Sequence, residues 1–171
     1  MAGMPFSGKS VFAKALADNL NGNPELIDPK NYIPPEGLGQ PDIRQEFQIA
    51  AWNVCLEYAN NLLLTSNRNV VILDTTAANY TQIHKLIIDA KIKKHSILYI
   101  FVLASKADCI VRAGDQWISE DTYKTYKHRF KQTVPEFTRM VDRTLVVRND
   151  EKIDKMVEMA ARLATKLNAV H

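Results

Sequence analysis

The feature that most constrains this chain is the octapeptide Gly3-Met4-Pro5-Phe6-Ser7-Gly8-Lys9-Ser10, because it runs directly into a helical pattern. Val11, Phe12, Ala15, Leu16 and Leu20 recur at helical spacing, and Asn21-Gly22 supplies a stop. A glycine loop that opens a helix offers several backbone N–H groups at short range, backed by the positive end of the helix dipole. A phosphate tail needs that arrangement. Gly3 and Gly8 permit the backbone path, Lys9 can reach β- and γ-phosphates, and the Ser10 hydroxyl is placed for Mg²⁺. The candidate nucleotide contacts are therefore Gly3, Pro5, Phe6, Ser7, Gly8, Lys9, Ser10 and Val11. The plain alternative is a glycine turn before an ordinary helix, but four fixed positions match by chance in only roughly one chain in two hundred of this length.

Downstream, strand and helix patterns alternate. Glu25-Leu26-Ile27-Asp28 is a short strand candidate closed by Pro29, and Pro34 to Gly39 reads as loop. A long helical pattern covers about Asp42 to Thr65 and ends at Asn67-Arg68-Asn69. Val70 to Asp74 and Ile97 to Leu103 are apolar runs of the kind buried on both faces of a parallel sheet. Helices are expected over about Tyr80–Lys93, Lys106–Val111, Ser119–Gln132 and Lys152–Leu167, with a last strand at Leu145–Val147. This alternation predicts an α/β fold with a parallel sheet.

With 171 residues, 46% of them hydrophobic, the chain can fill one core, so a single domain spanning 1–171 is expected. The net charge of +3 permits a polyanionic substrate without demanding one. Cys55 and Cys109 show neither CxxC nor Cys/His spacing, which argues against a zinc site or disulfide framework and for thiols in a reducing cytoplasm. Apolar runs are too short to span a bilayer, so no membrane partner is expected. Nothing in the pattern speaks to oligomeric state.

Several residues add chemistry to the loop. Asp74 closes a strand as an acid that holds Mg²⁺ through water does, the alternative being a turn cap with Thr75 and Thr76. Asp28 ends the preceding strand, so it too should emerge at the carboxyl edge of the sheet, where it can accept the proton of an attacking hydroxyl or simply cap the turn before Pro29. Arg112, before a Gly-Asp turn, suits a mobile lid of about residues 106–132 that closes on the transferred phosphoryl group. A solvated helix-end arginine is the other reading. Lys124, Lys127, His128, Arg129 and Lys131, interleaved with Trp117, Tyr123, Tyr126 and Phe130, either line a nucleic-acid channel or form an amphipathic helix with core aromatics and solvated lysines.

With these residues in view, the chain resembles the polynucleotide-kinase-like group of P-loop kinases, which includes bacteriophage 5′-hydroxyl polynucleotide kinases, zeta-toxin-like kinases and small-molecule kinases. The resemblance runs from Gly3–Ser10 through Asp28, the Trp52–Glu57 segment and Asn69-Val70-Val71-Ile72-Leu73-Asp74-Thr75-Thr76 to the lid around Arg112. It implies a P-loop fold and transfer of the ATP γ-phosphoryl to a hydroxyl, with Asp28 as general base and the loop after the last strand, Arg148-Asn149-Asp150, against adenine. A polynucleotide 5′-hydroxyl is the first expectation for the acceptor, and a nucleoside, sugar or similar small molecule the second. The family carries an arginine shortly after its base, where this chain has Lys30, Asn31 and Tyr32. A P-loop also follows a buried strand, and only Met1-Ala2 precede Gly3, so the first strand is expected to be missing. Met1 is then either internal to a longer chain or the start of a shortened one. A non-catalytic ATP-binding protein competes on that ground, whereas a GTPase-like switch does not, since Asp74-Thr75-Thr76-Ala77 is not DxxG and no NKxD occurs.

Overall fold

A computed structural model describes residues 1–33, 41–65, 70–75, 80–149 and 153–169. The loop expected at Pro34–Gly39, the helix stop at Asn67–Asn69, and Thr76, Ala77 and Asp150 lie outside them. The element order is β1 (Ala2–Gly3), α1 (Lys9–Asn19), β2 (Glu25–Ile27), α2 (Pro41–Thr65), β3 (Val71–Leu73), α3 (Tyr80–Ile92), β4 (Leu98–Leu103), α4 (Lys106–Ala113), α5 (Glu120–Met140), β5 (Arg143–Arg148) and α6 (Ile153–Asn168). Among the described residues all strand pairings are parallel, as the sequence predicts.

Two ladders form, one ordered β1-β4-β5 and the other β2-β3. Met1 joins them: its N donates to Leu73 O at 2.6 Å, and its O accepts from Thr75 N at 3.1 Å. These two bonds are the parallel pattern centred on Asp74, so the strands run β2-β3-β1-β4-β5 as one sheet. The first strand is therefore not missing, which corrects the expectation from sequence. It is two residues long, and its short length is compensated by neighbours on both sides: Ala2 and Gly3 pair with Phe101 and Val102, and Ala2 is fully buried.

Helices cover both faces. On one, Phe12, Leu16, Ile72, Ile100, Val102, Val147, Met156 and Ala160 form a core between α1, α6 and the sheet. On the other, Ile83, Ile87, Tyr99, Phe101 and Phe137 join α3 and α5, while Ile27, Cys55 and Ala59 seat α2 beside β2. Helix α5 is the largest departure from the sequence pattern, which placed its end near Gln132. It continues to Met140 through Pro135. An internal proline costs a hydrogen bond and about 3 kcal/mol. Beyond it, Phe137 is completely buried, its ring edge-on to Tyr99 at 5.5 Å. Burial of one such side chain contributes about 1.5–3 kcal/mol, enough with its neighbours to carry the helix through. No helix among the described residues is long and apolar enough to cross a membrane.

Candidate active site

The loop between β1 and α1 lies at the carboxyl edge of the sheet, where open α/β sheets bind ligands. Its backbone shape explains its glycines. A Cβ on Gly3 would lie 2.6 Å from Val102 O and 2.7 Å from Ser7 Oγ, so nothing larger fits between loop and β4. Phe6 and Gly8 have φ of 62° and 90°, the left-handed region, which turns successive N–H groups toward one side. Ser7 N closes a turn on Met4 O at 3.2 Å. Gly8 is the N-cap of α1 and brings no capping side chain, and no acid occupies the first turn. The helix therefore keeps its leading donors and its positive end for an anion.

Around this opening the side chains are buried. Lys9 is 8% exposed and Asp74 4%. Burial pushes the Lys9 ammonium below its usual range, and the Asp74 charge offsets part of that effect. Lys30, Asp28 and Cys109 also act on Lys9, which places one electrostatic cluster at the sheet edge. Ser10 is half-buried in the first turn of α1 behind Lys9, and Val11 is 37% exposed beyond it. Pro5 and Phe6 are half-buried on the rim of the loop.

Asp28 and Asp74 leave adjacent strands side by side, since Ile27 pairs with Leu73 and Asp74 N continues the ladder to Ile27 O at 2.9 Å. Asp28 also caps the 3-10 turn Pro29–Tyr32, its Oδ1 accepting from Lys30 N at 2.9 Å. The turn-cap role and a place at the site thus coexist in one residue. Among the described residues, the buried Asp74 Oδ1 and Ser7 Oγ have no hydrogen-bond partner. A buried orphan carboxylate oxygen is costly unless a ligand completes it. Asp74 with Ser10 fits the few-ligand, water-rich binding of Mg²⁺.

Arg112 lies in the last turn of α4, before Gly114. Its Nη2 donates to the carbonyl of Asn149 at 2.9 Å, and its Nη1 has no partner among the described residues. Asn149 is 2% exposed, and its side chain meets the phosphate loop, donating to Ser7 O at 2.8 Å. Sequence reading did not anticipate that contact, nor the Phe6 ring lying 6.1 Å from Trp117, which joins the loop to the segment between α4 and α5. The only sequence signal for the second was a lone tryptophan after the Gly114-Asp115 turn. Helices α4 and α5 are also tied together, Lys106 bonding Glu120 at 2.6 Å and lying over the Tyr123 ring.

On the basic helix the aromatic and basic residues separate, as an amphipathic helix expects. Tyr123 is buried, Phe130 packs edge-on to Phe101 at 5.8 Å, and Lys124, Lys127, His128, Arg129 and Lys131 are exposed.

Comparison with solved structures finds the same architecture over nearly the whole chain. A gluconokinase from Sinorhizobium meliloti 1021 aligns over 98% of this chain and 91% of its own, with a TM-score of 0.59 and 18% identity. A deoxyadenosine kinase from M. mycoides with bound dCTP aligns over 98% and 97%, with a TM-score of 0.60 and 16% identity. A shikimate kinase from Acinetobacter baumannii in complex with shikimate aligns over 97% and 88%, with a TM-score of 0.57 and 14% identity. No family model and no curated protein sequence matches the chain. At these identities the likeness establishes the fold, that of the P-loop kinases, and does not single out the polynucleotide-kinase-like group.

Proposed function

We propose that this chain is an ATP- and Mg²⁺-dependent kinase that transfers the γ-phosphoryl group to a hydroxyl of a small molecule. The observation that carries this reading is the cluster at the sheet edge. A buried lysine and a buried carboxylate, one oxygen of which has no hydrogen-bond partner among the described residues, flank an acid-free helix N-terminus, and a second carboxylate stands on the next strand.

Each residue then has a task. The N–H groups at the start of α1 bind the polyphosphate, and the Lys9 ammonium acts where water is excluded and charge interactions are strong. Ser10 and Asp74 would hold Mg²⁺, which when bound neutralises charge on the phosphoryl oxygens. Asp28 orients the acceptor hydroxyl and accepts its proton as the oxygen bonds to the γ-phosphorus and the bond to the bridging oxygen breaks, releasing ADP. Arg112, with Nη1 uncommitted, is available to the nucleotide from the lid side.

A small acceptor is favoured over the polynucleotide 5′-hydroxyl that the sequence resemblance put first. Nucleic-acid grooves stack bases on exposed aromatic rings. Here Tyr123 and Phe130 face the core, and Trp117 packs against Phe6 and Tyr123. The structural neighbours named above are a gluconokinase, a deoxyadenosine kinase and a shikimate kinase, which supports the same choice. The non-catalytic alternative rested on a missing first strand, and β1 is held by partners on both sides.

The test is transfer of γ-labelled phosphate from ATP·Mg²⁺ to a panel of sugars, nucleosides and hydroxy acids, with a 5′-hydroxyl oligonucleotide in parallel. Label should enter a small molecule, and Asp28→Asn should lower kcat by about 10²–10⁴-fold while leaving the KM for ATP near wild type. Label in the oligonucleotide alone would restore the polynucleotide reading. ATP binding with no labelled product would make the chain a nucleotide binder without turnover.

A further inference from the structure

We propose that Asn149 is a positioning residue for the phosphate loop, orienting the peptide between Ser7 and Gly8 instead of reading the base. This inference rests on the nucleotide-binding reading above. Asn149 lies 142 residues from Ser7, yet its Nδ2 donates to the Ser7 carbonyl at 2.8 Å in a buried bond. The orientation of the carboxamide follows from its partner: a carbonyl only accepts, so the amide nitrogen must face it.

The consequence comes from peptide geometry. In a planar trans peptide the C=O of Ser7 and the N–H of Gly8 point in opposite directions. Fixing the first therefore aims the second, and no backbone oxygen among the described residues accepts from the Gly8 N–H. That N–H is one of the leading donors of α1, so the carboxamide sets the direction of a phosphate-binding group without touching phosphate. Gly8 is shaped to this contact as well, since a Cβ there would lie 2.3 Å from Asn149 Nδ2.

Asn149 is itself held at both ends of its backbone. Its N donates to Leu103 O at 2.6 Å, at the end of β4, and its O accepts from Arg112 Nη2 at 2.9 Å. Arg112 thus connects the end of α4 to the phosphate loop through Asn149. The Asn149 carboxamide, 2% exposed, is committed to the loop on its nitrogen side.

Binding of ATP and of inorganic tripolyphosphate, each with Mg²⁺, separates this role from base recognition. Both are measured by calorimetry for wild type, Asn149→Leu and Asn149→Ala, with thermal unfolding to confirm that each variant folds. Leu removes the donor without adding charge, and Ala serves if Leu does not pack. The loss of one oriented hydrogen bond should weaken ATP and tripolyphosphate by the same factor, about three- to tenfold. ATP weakened with tripolyphosphate unchanged would overturn the proposal and make Asn149 a base contact. Unchanged affinity for both in a folded variant would overturn it too. If the wild type binds neither ligand, the nucleotide-binding reading itself fails, and this inference with it.

Discussion

Two halves of the proposed site meet at the same sheet edge and are built in opposite ways. On the phosphate side, Gly3 and Gly8 admit no Cβ, Lys9 and Asp74 are buried, and Asn149 locks the loop from the far end of the chain. On the acceptor side, Asp28 is half-buried with Oδ1 on a turn N–H, Lys30 is exposed and Tyr32 is 37% exposed. The first half is over-determined, and the second is open. A polyphosphate is the same object whatever accepts it, so backbone donors and one buried cation suffice. An acceptor is recognised by side chains that differ from one substrate to the next.

The sharpest way to break this contrast is Lys9→Met. If the phosphate half provides most of the charge stabilisation, kcat should fall about 10²–10³-fold, as it does when one preorganised donor is removed. Steady-state kinetics on the acceptor found by the labelling panel would show it, and a loss within experimental error would remove the buried cation from the mechanism. Gly8→Ala comes next. Its φ of 90° and the 2.3 Å approach to Asn149 Nδ2 predict about 1–3 kcal/mol of strain, measurable by denaturant unfolding. At 1.4 kcal/mol per factor of ten, the Kd for ATP should rise up to roughly a hundredfold. Tolerance of Ala would mean that the loop is not over-determined.

A smaller effect tests the other half. The triple variant Lys124→Glu, Lys127→Glu, Lys131→Glu reverses exposed charge on α5. Stability should change by no more than about 0.5 kcal/mol per site, and small-acceptor turnover should stay near wild type. A steep, salt-dependent loss of transfer to an oligonucleotide would instead return the helix to a nucleic-acid role.

The same contrast governs what could be read in the sequence. The glycine loop and its helix were legible because the pattern is local: eight consecutive residues and the helix they open. Asp28 and Asp74 were legible as strand-end acids, because a strand's last residue sets which sheet edge its side chain reaches. Contacts that depend on distant partners were not. Asn149 was read only from its place after the last strand, and the bond from its carboxamide nitrogen to Ser7 went unread, since no spacing rule spans 142 residues. The helix expected to end near Gln132 continues through Pro135 to Met140, where Phe137 is buried against Tyr99. The two-residue β1 fell below any periodicity, and only the bonds from Met1 to Leu73 and Thr75 reveal its place in the sheet.

The two cysteines report on the two halves separately, with the smallest effect. Cys109 is buried and lies within the electrostatic reach of Lys9 and Arg112, on the nucleotide side. Cys55 is buried on α2 within reach of Asp28, on the acceptor side. Burial raises both thiols, Cys55 from 9.0 to about 11. Between those two pH values the opened chain has lost the Cys55 proton that the closed chain keeps, so rising pH favours opening. Alkylation of Cys55 in the native protein should therefore keep accelerating above pH 9, where a free thiol levels off, until about 11. ATP·Mg²⁺ should slow labelling of Cys109 a few-fold more than that of Cys55, and a saturating acceptor should do the reverse, read by mass spectrometry of the labelled peptides. Equal protection of both by ATP alone would mean that the halves open as one unit, and that the acceptor side is as fixed as the phosphate side.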